Sequence, residues 1–554
     1  MLVQLSIATA YLNFSYGRRG EMMGKTVRAL ILLIFELLLV WTLFLIFGLH
    51  NVFHALTTKQ LPLDNAGFFI IGRSLVTVLF LSNIRWGEKI GNFLKGHVRL
   101  VLAFFLALLL LWQLYSCYGG YFISGWDAGI IRRTVSLENS GNYDQIDNNY
   151  FSWCPNNLLL VWVFKSVSTV AAFFGFLNWE YALVAFQCVI DACAIWLVYE
   201  VTFEFSNNVK VAFFAFFSAI LFIGLSPWFI VAYSDATGFL FPILIIRIYQ
   251  LENKTSNRVI KVVLGVLLGI VSCIAYHIKP HILIVCVAIV LIEACSILNS
   301  HFKQLFPEYL KRIGCYFIGH ILFIVAFNNL ILPTLHIQIN PDTTIGWQHY
   351  FMMGLNRDRD GVYSDEDFAF TRSFSTNEER NKADIQEAVK RIRHMGKSGL
   401  FIHLNRKQLV NYGDGTFAWN VEGGSFSGDP DWAQNRISNL VRSFIKPGGR
   451  FYQWFVGSKQ LMWIMVLFFQ LFVFMYPRKE LTGKQEKTVM VLVTSVIGIS
   501  IFELLMEARA RYLFCFSPLY VVLFGWGIRN IYLAEKTVYI DLRNQFMRRK
   551  SGVI

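Results

Sequence analysis

The chain has 554 residues, of which 55% are hydrophobic and 16% charged, with a net charge of +14 and a mean hydropathy of +0.48. A soluble protein of this length carries more charge and shorter apolar runs, so this composition excludes an ordinary soluble fold. Its 50 Lys and Arg residues sit in short clusters between apolar stretches, not on one surface, which speaks against a nucleic-acid partner and for the loops of a membrane protein.

Along the chain, apolar runs approach the roughly 20 residues that a hydrocarbon core requires. They do not alternate as membrane strands do, so they predict helices. Arg18, Arg19, Lys25 and Arg28 precede a run over 29–50; nothing before it resembles a cleavable signal, and it reads as an uncleaved anchor with a cytoplasmic N-terminus. A second span over 67–84 returns to Arg85, Lys89, Lys95 and Arg99, and a third over 99–118 exits, leaving 119–178 outside. The run 158–177 is apolar enough to cross, but a crossing there would put Arg247, Lys254, Arg258 and Lys261 outside. A helix lying in the outer interface restores the charge rule, and Lys165, Ser166, Ser168 and Thr169 suit such a half-buried position.

Further spans are predicted near 180–201, 209–226, 229–249, 259–276, 281–298 and 313–332. A long polar segment, 336–456, then falls outside. It contains a charged helix over 377–394, Gly-rich turns (Gly413, Gly415, Gly423, Gly424) and Trp347, Trp419 and Trp432, the content of an ordered domain covering the site. Three last spans, 459–476, 488–506 and 512–532, place Arg478, Lys479, Lys484 and Lys487 inside, with a basic cytoplasmic tail over 533–554. The predicted fold is all-α and polytopic, with about twelve transmembrane helices in a plasma membrane and a small extracellular domain of mixed structure. Its parts are 1–98 (two N-terminal spans), 99–335 (the core, with its first external loop 119–178), 336–456 (outside), 457–532 (three spans) and the tail.

Nine cysteines show no metal-ligand spacing. Only Cys117 and Cys154 lie near the predicted outer face, where a disulfide and two unlinked thiols both stay open.

Ionisable groups gather at the outer ends of the predicted spans, where they need a reason. The first loop offers Asp127 and Arg132; later turns offer Tyr233 with Asp235, then Lys279 before Pro280, and finally Glu507, Arg509, Arg511 and Tyr512. The set suits transfer from a lipid-linked phosphosugar. Lys279, Arg509 and Arg511 would neutralise a phosphate at headgroup level, arginine bidentately. An acceptor hydroxyl attacking an anomeric carbon must lose its proton, and Asp127 is the carboxylate chosen for that base. Each residue also has a plainer reading. Asp127 and Asp235 would serve as helix caps, and the two arginines as headgroup anchors. His277 and His281 are a weak metal pair broken by Pro280, and Glu36 and Glu503 read as structural. Convergence on one face carries the argument.

These residues resemble the GT-C superfamily of polyprenyl-phosphate-sugar-dependent glycosyltransferases. The Asp127 loop, the Pro155 that leads into the interfacial helix, the Pro227…Tyr233-Ser234-Asp235 turn and the Lys279-Pro280 turn resemble its protein-mannosyltransferase and aminoarabinose-transferase branch. More narrowly, Tyr150…Cys154-Pro155-Asn156-Asn157, the stretch from Trp347 to Asn356 through His349, Gly413…Trp419 and Glu507…Arg509…Arg511-Tyr512 are similar to a family of integral membrane proteins from lactic-acid bacteria and streptococci. The resemblance spans roughly 99–530 and implies a GT-C-like core that starts at the third span. It implies Asp127 as catalytic base and Lys279, Arg509 and Arg511 as donor-phosphate ligands, with Arg132, Tyr233, Asp235, His349, Glu507 and Tyr512 as further substrate contacts. The implied partners are an undecaprenyl-phosphate-linked monosaccharide and a cell-envelope glycan or teichoic acid, joined with inversion outside the membrane. Ala128 stands where many relatives have a second acid, which weakens a metal held by paired acids; no metal ligand is assigned and a divalent ion stays open. Cys154 stands where many have an aromatic residue or His, which leaves the acceptor open. The rival readings are a polymerase or ligase using lipid-linked oligosaccharide, and a flippase or transporter. A transporter would show internal repeats and broken spans, and no repeat is found.

Overall fold

The computed structural model describes residues 19–49, 63–176, 178–298, 302–419, 421, 426–475 and 481–550; Arg18, the turn at Gly423 and Gly424, and Arg478 with Lys479 lie outside them. The protein is all-α and polytopic, as its composition predicts. Among the described residues, eight helices are long and apolar enough to cross a membrane.

Helix α1 (Arg19–Phe44) and α2 (Asn65–Gly120) come first. The predicted spans 67–84 and 99–118 are both contained in α2, whose 56 residues would measure about 84 Å if straight. It is not straight. Asn65 accepts from Gln460 Nε2, while Gly120 faces Ile230, Val441 and Ile445. Gln460 in turn takes the Gly415 N–H, and Thr416 accepts from Trp228, two residues from Ile230. The two ends of α2 are thus joined by a short run of contacts, whereas its middle, at Gly87 and Gly91, meets Lys210. The helix goes down and comes back, as the two predicted spans require.

Next come α3 (Asp127–Ser140), α4 (Leu158–Phe173), α5 (Trp179–Ser206) and α6 (Val209–Ala219). By length and composition, Pro155–Phe173 qualifies as a span. Mid-helix Lys165 donates to Glu138 Oε2 and to Thr334 O, both at 2.8 Å, and Ser168 accepts from Asn139 at 2.7 Å. Glu180, at the start of α5, pairs with Arg132. Glu138, Asn139 and Arg132 all belong to α3, so the middle of α4 and the start of α5 both stand beside that one helix. A crossing of 16 residues would carry the chain about 24 Å away. The contacts of α4 therefore hold its middle beside α3 and Thr334.

The bundle continues with α7 (Leu240–Lys254), α8 (Arg258–Ile278), α9 (Ile284–Leu298) and α10 (Phe302–Ala326). The expected span 229–249 is not continuous: a 3₁₀ turn (Pro227–Ile230) and a short helix (Ser234–Gly238) precede α7. Pro227 and the buried polar residues after it break the helix, and the freed backbone is satisfied from outside it, as when Gln187 donates to Tyr233 O at 3.0 Å. Asparagines start several helices: Asn178 accepts from Tyr181 N, Asn208 from Lys210 N and Val211 N, and Asn257 from Val259 N and Ile260 N. One end of the bundle is a belt of ion pairs, Arg247 with Glu200 and Glu204, Arg312 with Glu252, and Lys487 with Glu293. It is called the basic face here, and the opposite end the site face.

Helices α8 and α10 approach through glycine, as membrane helices do where small residues let backbones touch. A Cβ on Gly269 would stand 2.1 Å from Tyr316 O, and one on Gly319 2.1 Å from Val266 O, whereas one on Gly314 meets nothing within 4 Å. Gly269→Ala and Gly319→Ala are each expected to cost about 1–3 kcal/mol by overpacking, lowering Tm in detergent, with Gly314→Ala as control. Equal melting of Gly269→Ala and Gly314→Ala would contradict this packing.

The 336–456 segment holds α11 (Trp347–Gly354), α12 (Asn377–Tyr412) and α13 (Ser438–Ile445). The predicted helix 377–394 starts in a capping box between Thr376 and Glu379, but it extends to Tyr412 across a kink at Gly396, φ 60°. Beyond the kink it is no cover. Asn405 accepts from Trp41 at 2.8 Å, Gln408 donates to Thr42 at 2.7 Å, and Tyr412 bonds to Tyr520 at 2.6 Å, so this half is wedged into the bundle. The Asp414–Trp419 loop follows. Asp414 accepts from Thr416 N and Ala418 N. Phe417 and Ala418 adopt left-handed φ of 56° and 62°, a strained pair that buried neighbours must hold. Two short strands, β1 (Ile123–Ser124) and β2 (Phe426–Gly428), pair antiparallel and tie this segment to the Asp127 loop. Helices α14 (Tyr452–Gln470), α15 (Gly483–Leu505) and α16 (Ala510–Lys550) complete the bundle. The last span and the basic tail as far as Lys550 are one helix. Buried Lys459 on α14 donates to Leu221 O at 2.8 Å and Phe222 O at 2.9 Å, carbonyls in the π-helical turn Ile220–Gly224.

Candidate active site

Four segments distant in sequence meet at the site face. Asp127 is the first residue of α3, where the helix N-terminus favours its charge. Its carboxylate does not act as a cap: Tyr233 donates to Oδ2 at 3.0 Å. Nearby, Asn157 Nδ2 donates to the Tyr150 hydroxyl oxygen at 2.7 Å.

Asp235 lies inside its short helix, not at the cap, and is 2% exposed. It forms an ion pair with Lys279 and approaches Arg511 Nε at 3.9 Å. Lys279 ends α8 just before Pro280 and sits 4.9 Å from the Tyr512 ring centroid. The Arg511 guanidinium lies over Trp126 at 4.5 Å and Tyr233 at 5.6 Å. One carboxylate thus holds two cations side by side, with the plane of the guanidinium fixed by aromatic faces.

The loop from α15 to α16 supplies the rest. Glu507, 4% exposed, accepts from Arg509 Nε at 2.7 Å and from the Tyr512 hydroxyl at 3.2 Å. The Arg509 N–H donates to Glu503 Oε2 at 3.1 Å, a structural role for Glu503. Gly354, at the end of α11, lets the 336–456 segment abut this loop, since a Cβ there would stand 2.3 Å from Met506 O. Lys407 fastens the same junction by donating to Gly354 O at 2.8 Å and Met506 O at 2.6 Å.

Buried Tyr350 and Cys154 both stand close enough to Asp127 and Glu507 to feel their charge. Burial, then Asp127 and Glu507, push the Cys154 thiol up to about 12, so it is a neutral wall. Burial also raises Tyr350 well above its ordinary value, with Cys154, Glu507 and Asp127 adding to it. The group balances three acids (Asp127, Asp235, Glu507) against three bases (Lys279, Arg509, Arg511), inside a largely aromatic enclosure.

The structure therefore brings together Asp127, Tyr233, Asp235, Lys279, Glu507, Arg509, Arg511 and Tyr512. It does not bring Arg132, which pairs with Glu180 and lies over Trp179, joining α3 to α5. His349 stands behind the site: its Nδ1 is 2.7 Å from Thr371 Oγ1, and burial pushes it down to about 4, keeping it neutral. His277 bonds to Cys273 O, while His281 packs among Phe502, Tyr512 and Phe516, so the two do not converge. Among the described residues no three His, Cys, Asp or Glu side chains are placed to hold a metal ion. Cys117 faces Cys188, at 3.7 Å, rather than Cys154. Sequence reasoning missed Tyr150, Asn157, Trp126, Tyr350 and Lys407 as site residues. The Tyr150…Asn157 stretch carried a signal, aromatic and amide residues around Pro155; buried Lys407, inside a charged helix, carried none.

Residues 23–530 match the family model described as conserved hypothetical integral membrane protein, and the chain belongs to that family. No curated protein and no solved structure matches the chain.

Proposed function

We propose that this integral membrane protein is a glycosyltransferase that moves a monosaccharide from an undecaprenyl-phosphate-linked donor to a cell-envelope glycan or teichoic acid on the outer face of the plasma membrane. The observation that carries this reading is a carboxylate bonded to a tyrosine hydroxyl, beside three cations and aromatic rings, at one end of the bundle. Aromatic rings suit sugar faces, and a carboxylate bonded to a hydroxyl rather than to a cation suits a base.

In the proposed reaction an acceptor hydroxyl attacks the anomeric carbon. The bond from that carbon to the phosphate oxygen breaks, the electron pair leaves with polyprenyl phosphate, and the hydroxyl proton passes to Asp127. Lys279 and Arg511, with Arg509 nearby, take the phosphate charge, and Asp235 keeps the first two together. Residues from distant loops fix both reactants, so positioning and electrostatics share the rate gain.

The broken helix at 227–239 favours a second reading, a flippase for lipid-linked sugars, because transporters place discontinuous helices at their binding sites. Purified protein given polyprenyl-phosphate monosaccharides and envelope glycan tests both readings. Release of polyprenyl phosphate with extension of the glycan is the expected outcome. Movement of intact donor across a liposome bilayer without that release would sink the transferase.

The orientation rests on the charge rule, which puts the basic face in the cytoplasm. In whole cells, Lys254→Cys is expected to resist an impermeant thiol reagent and Trp347→Cys to react. The reverse pattern would turn the site inward.

A further inference from the structure

Helix α12 carries a feature that the proposed reaction does not use. Lys390, Arg393, His394 and Lys397 are all exposed; spacings of three and four residues put the first three on one side of the helix, and Lys397 follows directly after the kink at Gly396. The opposite side packs into the outer segment through buried Asp384 and Ala388 and through Arg391, which pairs with Asp367 at 2.6 Å. The acid beside the stripe, Glu387, is shared between Lys390 and Arg391. Just past the kink at Gly396, Phe401 is 66% exposed and Ile402 40% exposed.

Height in the bundle decides what meets this surface. Asn405 and Gln408 bond to Trp41 and Thr42, inside the candidate span Thr26–Gly48 and near its site-face end. One helical turn from Asn405 toward the kink, Phe401 and Ile402 are exposed beyond these bundle contacts, and Lys397 stands about 6 Å farther along the helix. Exposed apolar side chains topped by a basic cluster match the layering of an interfacial anchor, apolar groups among acyl chains and cations among phosphates.

We propose that Lys390, Arg393, His394 and Lys397, with Phe401 and Ile402 beneath them, bind anionic phospholipid headgroups of the leaflet at the site face and hold the outer segment down on the membrane. The surface recognises a clustered phosphate charge in the plane of a bilayer, and it is separate from the enclosure around Asp127.

The test compares amide hydrogen exchange over 388–402 for the full-length protein in nanodiscs of phosphatidylcholine alone and with about 30% phosphatidylglycerol. Exchange is expected to be about tenfold slower with the anionic lipid, and the difference to shrink in high salt. The variant K390Q/R393Q/K397Q is expected to exchange equally in both discs, with exchange over 347–354 unchanged as the control for an intact outer segment. Equal exchange of the unsubstituted protein in the two lipids would overturn the anchor. So would equal protection by soluble polyphosphate in phosphatidylcholine discs, which would make the stripe a site for a polyanionic chain instead.

Discussion

Asp127→Asn is expected to lower the rate of sugar transfer by a factor on the order of 10²–10⁴ while leaving donor affinity nearly unchanged. Amide and carboxylate are close in size, and both accept the Tyr233 hydroxyl that now reaches Oδ2 at 3.0 Å. Only the carboxylate takes up the acceptor proton. The loss should therefore fall on kcat in single-turnover measurements, not on donor binding. Wild-type turnover by Asp127→Asn, on purified donor and acceptor, would falsify the assignment of the base.

Arg511→Ala is expected to give the opposite pattern. The guanidinium is buried between Asp235 and the faces of Trp126 and Tyr233, a partly desolvated place where a charge-assisted bond to phosphate is worth roughly 1.5–3 kcal/mol. Donor affinity should fall by about one to two decades, with a smaller change in the chemical step. Arg509→Ala should act in the same direction, and it also frees Glu507, which now accepts from Arg509 Nε. Donor affinity unchanged in both variants would return these arginines to the role of structural partners for Asp235 and Glu507.

The spans were the most legible part of the sequence, and the reason is the solvent. A bilayer admits only helices of a certain length, so apolar runs between basic clusters become helices between two faces. The prediction erred where a helix is interrupted by its own polar residues. Pro227 and Asp235 divide the expected 229–249 span, and the break leaves Tyr233 and Asp235 free to face the site. It erred again where a segment is polar yet buried. Asn405, Gln408 and Tyr412 read as part of an external domain, but Trp41, Thr42 and Tyr520 satisfy their polar groups inside the bundle.

Among candidate residues, Asp127, Asp235, Lys279, Arg509 and Arg511 could be singled out because charges at span ends are costly and so need partners. Their depth follows from position along a helix. Their neighbours do not, because a hydrophobic pattern fixes which residues leave the membrane but not which helices stand side by side. Asp127 and Tyr233 are 106 positions apart, and Trp41 and Asn405 364 apart. Arg132, five residues after Asp127, looked equally suited to a substrate, and the turn of α3 instead carries it to Glu180. The sequence by itself determined a helical membrane protein with its ionisable groups sorted to two faces, since water and hydrocarbon act on each residue separately. Only the tertiary structure decided that Tyr233 holds Asp127 and that Asp235 joins Lys279 to Arg511, because those outcomes depend on contacts between helices that no local pattern encodes.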